Sequence, residues 1–145
     1  MPHLLDVKDL TTVFHTDYGR VVTVDHVNFH VNKGETLCIV GESGCGKSVT
    51  SLSIMGLLGR GGTVEDGSVL FEGKNLLEMT EKELDGVRGN QISMIFQDPL
   101  TSLNPVFTVG NQIIESIRVH LNLSKKEAKE HAIQILEKVG MPDPE

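Results

Sequence analysis

The first third of the chain alternates between hydrophobic and polar residues, which is the period of a β-strand. Residues 3–14 alternate over a short run, and residues 21–31 alternate over a longer one that includes Val24 and Phe29. Residues 15–20 lie between the two runs and have the composition of a turn, in which Gly19 supplies the permissive backbone. The pattern therefore predicts two strands joined by a turn.

The next part of the chain predicts a strand, a loop and a helix in direct succession. Residues 35–40 enter a short, uninterrupted apolar strand, as expected for a strand that is buried on both faces. A glycine-rich loop follows from Gly41 to Gly46. Residues 47–58 then have helical spacing, and the glycines of residues 59–62 are expected to end that helix. The apolar face of the helix is expected to hold Val49, Leu52, Met55 and Leu58.

The remaining pattern predicts two more strands, a loop and three helices. The strands are residues 67–73 and 91–96, and a loop with two prolines covers residues 97–107. Capping boxes at Thr80/Glu83 and Ser124/Glu127 mark two helix starts, the first helix ending at Val87 and the second near Val139. A further helix is predicted over residues 108–121. The residues expected to face inward on the last two helices are Val109, Ile113, Ile117, Leu121, Ala128, Ala132, Ile135, Leu136 and Val139.

Composition and charge exclude several classes of protein. The chain has 145 residues, 39% of them hydrophobic, which predicts one folded domain rather than a disordered chain. Its apolar runs fall short of the roughly 18 residues that a membrane-spanning helix needs. There are 13 Lys and Arg against 20 Asp and Glu, and this acidic balance argues against a nucleic-acid partner.

Cysteine and histidine usage adds little chemistry. Cys38 and Cys45 are too few and too close in sequence for a disulfide scaffold, so a reducing compartment is expected. The N-terminus has no basic stretch followed by an apolar core, so no secretory signal is predicted. His26 and His30 lie four apart in a predicted strand, with Cα atoms about 13 Å apart, which disfavours a shared metal ion.

The chemistry of the chain is concentrated in the loop from Gly41 to Ser48, which matches the pattern G-x-x-x-x-G-K-[ST]. Glycines let the backbone curl so that successive N–H groups point inward at phosphate oxygens. The following helix adds the positive end of its dipole. Lys47 would contact the β- and γ-phosphates, and the Ser48 hydroxyl would bind Mg²⁺. A predicted strand before the loop and a helix after it favour a nucleoside triphosphate site over an ordinary glycine-rich turn.

A resemblance to a known family is carried by four stretches, VVTVDHVNF, CIVGESGCGKSVTSLSIMGLL, GSVLFEGKNLL and ISMIFQDPLTSLNPVFTVGNQI. They resemble the N-terminal part of an ABC-transporter ATP-binding subunit of the oligopeptide/dipeptide importer class. The resemblance implies an α/β fold of the P-loop NTPase class, with an antiparallel β subdomain, the P-loop strand and helix, and the start of a helical subdomain. It also implies that residues 1–107 belong to the nucleotide-binding core and residues 108–145 to the helical subdomain.

The same resemblance implies a set of site residues. Tyr18 would stack on adenine, with Phe14 as the alternative aromatic, and Gln97 would contact Mg²⁺ and the attacking water as the catalytic residue. Asp98 remains an alternative metal ligand, although its place in a loop before a proline disfavours that role. The full set expected to contact ATP is Tyr18, Gly41, Ser43, Gly44, Cys45, Gly46, Lys47, Ser48 and Val49, and Ser48 with Gln97 would bind the metal. Cys45 replaces the serine that the family often has there, either as a tolerated small side chain or as a thiol sensitive to modification.

Elements of the family that come later in sequence are not found between residues 1 and 145. They are an LSGGQ-type signature, an apolar strand ending in Asp-Glu, and a histidine that senses the γ-phosphate. The chain is therefore expected to be a fragment by family standards, without ATPase turnover of its own. In the family fold the strands at residues 36–40 and 91–96 have parallel neighbours from that later part, so self-association or rearrangement of the chain is also expected.

The function expected of the parent is ATP hydrolysis that powers the import of peptides or similar solutes. Its partners would be transmembrane permease subunits and a second ATP-binding subunit, at the cytoplasmic face of the membrane. Two alternatives stay open: a nucleotide-binding or interaction fragment without turnover, and another P-loop kinase or GTPase. A GTPase is disfavoured because the chain has no N-K-x-D stretch.

Overall fold

In a computed structural model of the chain, residues 3–98 and 102–143 are described, and they fall into two compact units, Met1–Leu84 and Asp85–Glu145. The predicted subdomain boundary between residues 107 and 108 stays a prediction. Part of the proline-containing loop predicted at residues 97–107, namely residues 99–101, lies outside the described residues. None of the described helices is both long enough and apolar enough to cross a membrane.

The first unit is built on an antiparallel hairpin, which confirms the two predicted strands and their turn. Strand β1 (Leu5–Thr16) pairs with strand β2 (Gly19–Val31), and only Asp17 and Tyr18 connect them. The burial along β1 does not simply alternate, because the pairing register shifts between Val7 and Val13. All four residues from 10 to 13 are consequently buried.

Strand β3 (Gly62–Phe71) pairs along the other edge of β1, and the short strand β4 (Lys74–Asn75) completes a sheet of order β2-β1-β3-β4. The sequence pattern predicted only residues 67–73 as this strand. The observed strand starts earlier because its first half still pairs with β1 through Gly62, Thr63, Val64 and Asp66. A 3₁₀ turn at Leu76–Glu78 and helix α2 (Glu81–Val87) follow.

Helix α1 (Lys47–Met55) packs on this sheet and is shorter than the predicted helix of residues 47–58. It ends at Gly56, which adopts the left-handed conformation with φ 61°. The N–H of Gly56 donates to the carbonyl of Ser53, and the N–H of Leu57 donates to that of Leu52. A glycine that closes the last turn in this way ends a helix before any later glycine can.

Two predicted strands are not formed as strands in the described residues. Residues 35–40 pair with no other described segment, and residues 91–96 contribute only one isolated bridge, between Arg88 and Ile92. Their apolar side chains are exposed: Val40 is 82% exposed and Ile95 is 93% exposed. The expectation that residues 35–40, before the glycine-rich loop, and residues 91–96 form buried strands is therefore wrong for this structure. An apolar strand needs a paired neighbour and covered faces, and the described residues provide neither here.

The second unit contains helix α3 (Val109–Leu121) and helix α4 (Lys125–Lys138), which confirms both predicted helices. They pack against each other through Ile117, Ala128 and Ala132. The predicted inward positions nearer the helix ends, Val109, Leu121, Ile135 and Val139, are exposed instead. The buried contact is made by Ile117, Ala128 and Ala132, and these four positions lie outside it.

Candidate functional site

The loop from Gly41 to Ser48 is exposed apart from the half-buried Gly46 and Lys47, and it leads directly into helix α1, as predicted. Gly46 is the N-cap residue of α1, with φ 90°, and no described side chain caps the helix. The first N–H groups of a helix lack partners within the helix and carry its positive dipole end. This start of α1 therefore presents donors suited to an anion.

Gly46 also seats the loop against strand β2. A Cβ atom at this position would lie 2.5 Å from the carbonyl oxygen of Thr23, and the positive φ would strain any L side chain. The carbonyl of Gly46 accepts from the N–H of Thr50 at 2.8 Å and from its hydroxyl at 2.9 Å, which starts the helix. Only glycine allows both the turn and this close approach.

Lys47 folds back over the loop. Its Nζ donates to the carbonyl oxygens of Gly41, at 2.7 Å, and Glu42, at 2.6 Å, and lies 3.4 Å from the Sγ of Cys45. The ammonium group is thus held against the loop by three loop atoms. A terminal phosphate entering the loop would meet a positive charge already in place.

Helix α1 is fixed to the sheet by a buried pair of hydroxyl groups. The Oγ1 of Thr12 on β1 lies 2.8 Å from the Oγ of Ser53 on α1, and both residues are fully buried. The Ser53 hydroxyl donates in turn to the carbonyl of Val49 at 2.8 Å. This pair was missed from the sequence, because both residues looked like ordinary polar members of a strand and a helix.

The two candidate aromatic residues differ in exposure. Tyr18 is fully exposed at the tip of the β1–β2 hairpin. Phe14 is half-buried, and its ring packs so closely on Gly62 that a Cβ there would lie 2.8 Å from it. Tyr18 is therefore the aromatic with a free face, while its contact with a base stays a prediction.

Gln97 and Asp98 belong to the second unit and are exposed in a bend. The catalytic and metal-binding roles expected of Gln97 stay predictions. Among the described residues, no group of three or more His, Cys, Asp or Glu side chains is arranged to hold a metal ion. The expected Mg²⁺ site has a different donor set, because the exposed Ser48 hydroxyl is a hard oxygen donor of the kind Mg²⁺ accepts beside phosphate oxygens.

Comparison with known proteins decides the family. The model of the ABC transporter family matches residues 24–145 of the chain. The chain belongs to the ABC transporter family. This confirms the resemblance drawn from the sequence.

Curated members of the ABC transporter family show strong similarity to the chain. It is 54% identical over 143 residues to the oligopeptide transport ATP-binding protein OppD of Bacillus subtilis, covering 98% of this chain and 40% of OppD. It is 51% identical over 141 residues to the oligopeptide transport ATP-binding protein AppD of the same organism, covering 97% of this chain and 43% of AppD. The chain thus spans about two fifths of the length of these relatives.

Solved structures confirm the fold class. A dimeric bacterial ABC transporter cassette, MJ0796, superposes with a TM-score of 0.81 at 21% identity, over 96% of this chain and 58% of that one. The ADP conformation of the cassette MJ1267 superposes with a TM-score of 0.57 at 25% identity, over 97% of this chain and 55% of that one. The antiparallel sheet and the loop–helix unit are therefore the N-terminal part of an ABC-type P-loop NTPase fold.

Proposed function

We propose that the chain binds MgATP at the loop from Gly41 to Ser48, as the N-terminal portion of an ATP-binding subunit that powers peptide import. The observation that supports this most is the position of Lys47. It lies where the exposed glycine loop meets the uncapped start of α1, with its ammonium group held over the loop. That arrangement combines backbone donors, a helix dipole and a fixed cation at one anion-binding point.

Each site residue has a distinct task in this proposal. The loop N–H groups and Lys47 bind the β- and γ-phosphates, and Gly44, Cys45 and Gly46 supply backbone donors rather than side chains. Ser43 and Val49 line the loop and the first turn of α1. Tyr18 stacks on the adenine base. Ser48 and Gln97 are the residues that would hold Mg²⁺, and the metal would supply positive charge beside the transferring phosphate.

The parent subunit is proposed to hydrolyse ATP by attack of water on the γ-phosphate, with Gln97 orienting the water. The support is the identity to ATP-binding proteins of oligopeptide transport in Bacillus subtilis. Permease subunits in the membrane and a second ATP-binding subunit are the proposed partners, and the inner face of the membrane is the proposed location. Peptides or similar solutes are the proposed cargo.

For residues 1–145 by themselves we propose nucleotide binding without turnover. The sequence has two carboxylates near the proposed machinery, and neither suits a general base. Glu42 is part of the phosphate loop itself, and Asp98 lies beyond the position of Gln97. Phosphate release by the purified chain should therefore equal that of its Lys47→Ala variant. Sustained release that depends on Lys47 would contradict this part of the proposal.

The binding proposal is tested by titrating MgATP into the chain and into Lys47→Ala. Hydrogen bonds to a charged group contribute about 1.5–3 kcal/mol, so the variant should bind about 10- to 150-fold more weakly. Lys82→Ala is the matched control, because Lys82 is an exposed lysine on α2 outside the loop. Circular dichroism of all three proteins checks that the fold is retained. Equal affinities of the chain and of Lys47→Ala would refute the proposed site.

A further inference from the structure

A bidentate ion pair ties the outer strand of the hairpin to a strand that is not its neighbour. The guanidinium of Arg20, on β2, donates from Nε to both Glu65 carboxylate oxygens at 3.0 Å and from Nη2 to one of them at 2.6 Å. Glu65 lies on β3, and β1 runs between the two strands. The hydrogen bonds from Arg20 hold the pKa of Glu65 below its ordinary value.

The ion pair lies close to the tip of the hairpin. Arg20 is directly opposite His15 in the pairing of β1 with β2. The two-residue connection between the strands begins at Asp17, two positions after His15. The Nε2 of His15 lies 3.7 Å from the carboxylate of Glu65, so the last β1 residues border the same group. Within the tip, the N–H of Tyr18 donates to the Thr16 hydroxyl at 3.3 Å, which joins Tyr18 to the end of β1.

Among the strands that the structure describes, β2 lies at the edge of the sheet and pairs only with β1. The tip of the hairpin opens more readily than its middle, because the pairing of β1 with β3 ends at Phe14 and Gly62 and the tip extends beyond it. A side-chain link from β2 across to β3 restrains that opening. The link acts close to Tyr18, whose side chain is fully exposed.

We propose that Arg20 and Glu65 form a positioning pair that fixes the hairpin tip, so that Tyr18 is presented in one orientation to the adenine base. This inference rests on the proposed nucleotide site and adds two residues that touch neither phosphate nor base. The pair acts through Tyr18. It raises affinity for a nucleotide but not for a triphosphate that lacks a base.

The composition of the chain gives a direct probe of this role. Tyr18 is the single tyrosine, and the chain has no tryptophan, so intrinsic fluorescence excited near 280 nm reports on Tyr18. In the nucleotide-free chain, Glu65→Arg places two cations together and should lower the fluorescence anisotropy of Tyr18. The swapped double variant Arg20→Glu/Glu65→Arg restores opposite charges and should restore the anisotropy. Glu130→Arg makes the same charge change on α4 and should leave it unchanged.

The functional test compares dissociation constants for MgATP and for magnesium tripolyphosphate, which has the phosphates but no base. The two probes differ in net charge and in the ribose as well as the base, so Glu130→Arg serves as the charge control. The change in the ratio relative to this control isolates the contribution of the base and its ribose. Glu65→Arg should reduce the preference for MgATP about two- to fivefold, the range expected for an exposed pair of good geometry. The swapped double variant should recover it. In a Tyr18→Ala background, Glu65→Arg should have no further effect on the ratio.

Several outcomes would overturn the positioning role. An unchanged ratio in Glu65→Arg, or an equal effect with and without Tyr18, would show that the pair does not act through Tyr18. A Tyr18→Ala variant that keeps the full preference for MgATP would show that Tyr18 does not contact the base, and the pair would then have no role through it. In that case, weaker binding of both probes by Lys47→Ala would still support the phosphate loop. If the wild-type chain binds neither probe, the proposed function and the positioning pair are both refuted.

Discussion

Removing the hydroxyl of Ser53 should destabilise the chain more than removing its partner hydroxyl on Thr12. The Ser53 hydroxyl donates to the carbonyl of Val49, so the proton between the two side chains belongs to Thr12. Ser53→Ala therefore leaves the Thr12 hydroxyl buried without an acceptor. Thr12→Val removes that donor, and the Ser53 hydroxyl keeps its bond to Val49.

The expected sizes follow from this asymmetry. A buried polar group left without a partner costs about 1–3 kcal/mol, whereas an ordinary hydrogen bond contributes about 0.5–1.5 kcal/mol. Ser53→Ala should thus lower the free energy of unfolding by about 1–3 kcal/mol, and Thr12→Val by about 1 kcal/mol or less. The double variant has no unsatisfied hydroxyl. It should be at least as stable as Ser53→Ala alone, so that the two effects are not additive.

Urea unfolding followed by circular dichroism measures all four proteins of this cycle. The informative quantity is the free energy of unfolding of the double variant relative to the sum of the single effects. If the free energy of unfolding of the double variant falls by the full sum of the two single effects, the two hydroxyls are independent. The link between α1 and β1 would then not be the buried pair described here.

Three further predictions concern the loop, a helix cap and the exposed apolar segments. Gly46→Ala should lower the melting temperature of the chain more than Gly44→Ala does. Both glycines have a positive φ, but only a Cβ at Gly46 would meet the backbone of the sheet. Equal decreases in melting temperature would contradict this close approach. The hydrogen bonds from Ser124 lower the pKa of Glu127. These hydrogen bonds therefore stabilise α4 fully at pH values above the pKa of Glu127 in the unfolded chain. Their contribution is lost as the pH falls through the lower pKa of Glu127 in the folded chain. The helicity of the chain should therefore fall as the pH is lowered from about 6 to 3, and this contribution to the fall should be absent in Glu127→Gln. Identical pH profiles of the two proteins would contradict the prediction. Light scattering should show self-association through the exposed segments 35–40 and 91–96, and a monodisperse monomer with cooperative melting would contradict it.

Features set by neighbouring residues could be predicted from the sequence. The turn at Gly19, the capping box at Ser124 and the loop before Lys47 each depend on a few residues close in the chain, and the structure contains all three. The confirmed family also depends on such local stretches. A turn or a cap carries its own hydrogen bonds, so its sequence is sufficient to specify it.

Features set by distant residues could not be predicted in the same way. Residues 35–40 have the composition of a buried strand, but a strand also requires a partner, and composition does not reveal whether one is present. The early start of β3 at Gly62 likewise depends on β1 rather than on its own polar residues. The pairs Thr12–Ser53 and Arg20–Glu65 join residues that are 41 and 45 positions apart, and no pattern in the sequence relates them.

The central claim, that the loop from Gly41 to Ser48 binds the phosphates of MgATP, is tested most directly by amide NMR of the chain during a MgATP titration. The account predicts the largest shift changes at the backbone N–H groups of Gly44, Gly46, Lys47 and Ser48, because these amides are proposed to donate to the phosphate oxygens. The Lys47→Ala variant should show these changes only at much higher MgATP concentration. Saturable shift changes that leave the loop amides unaffected would contradict the account.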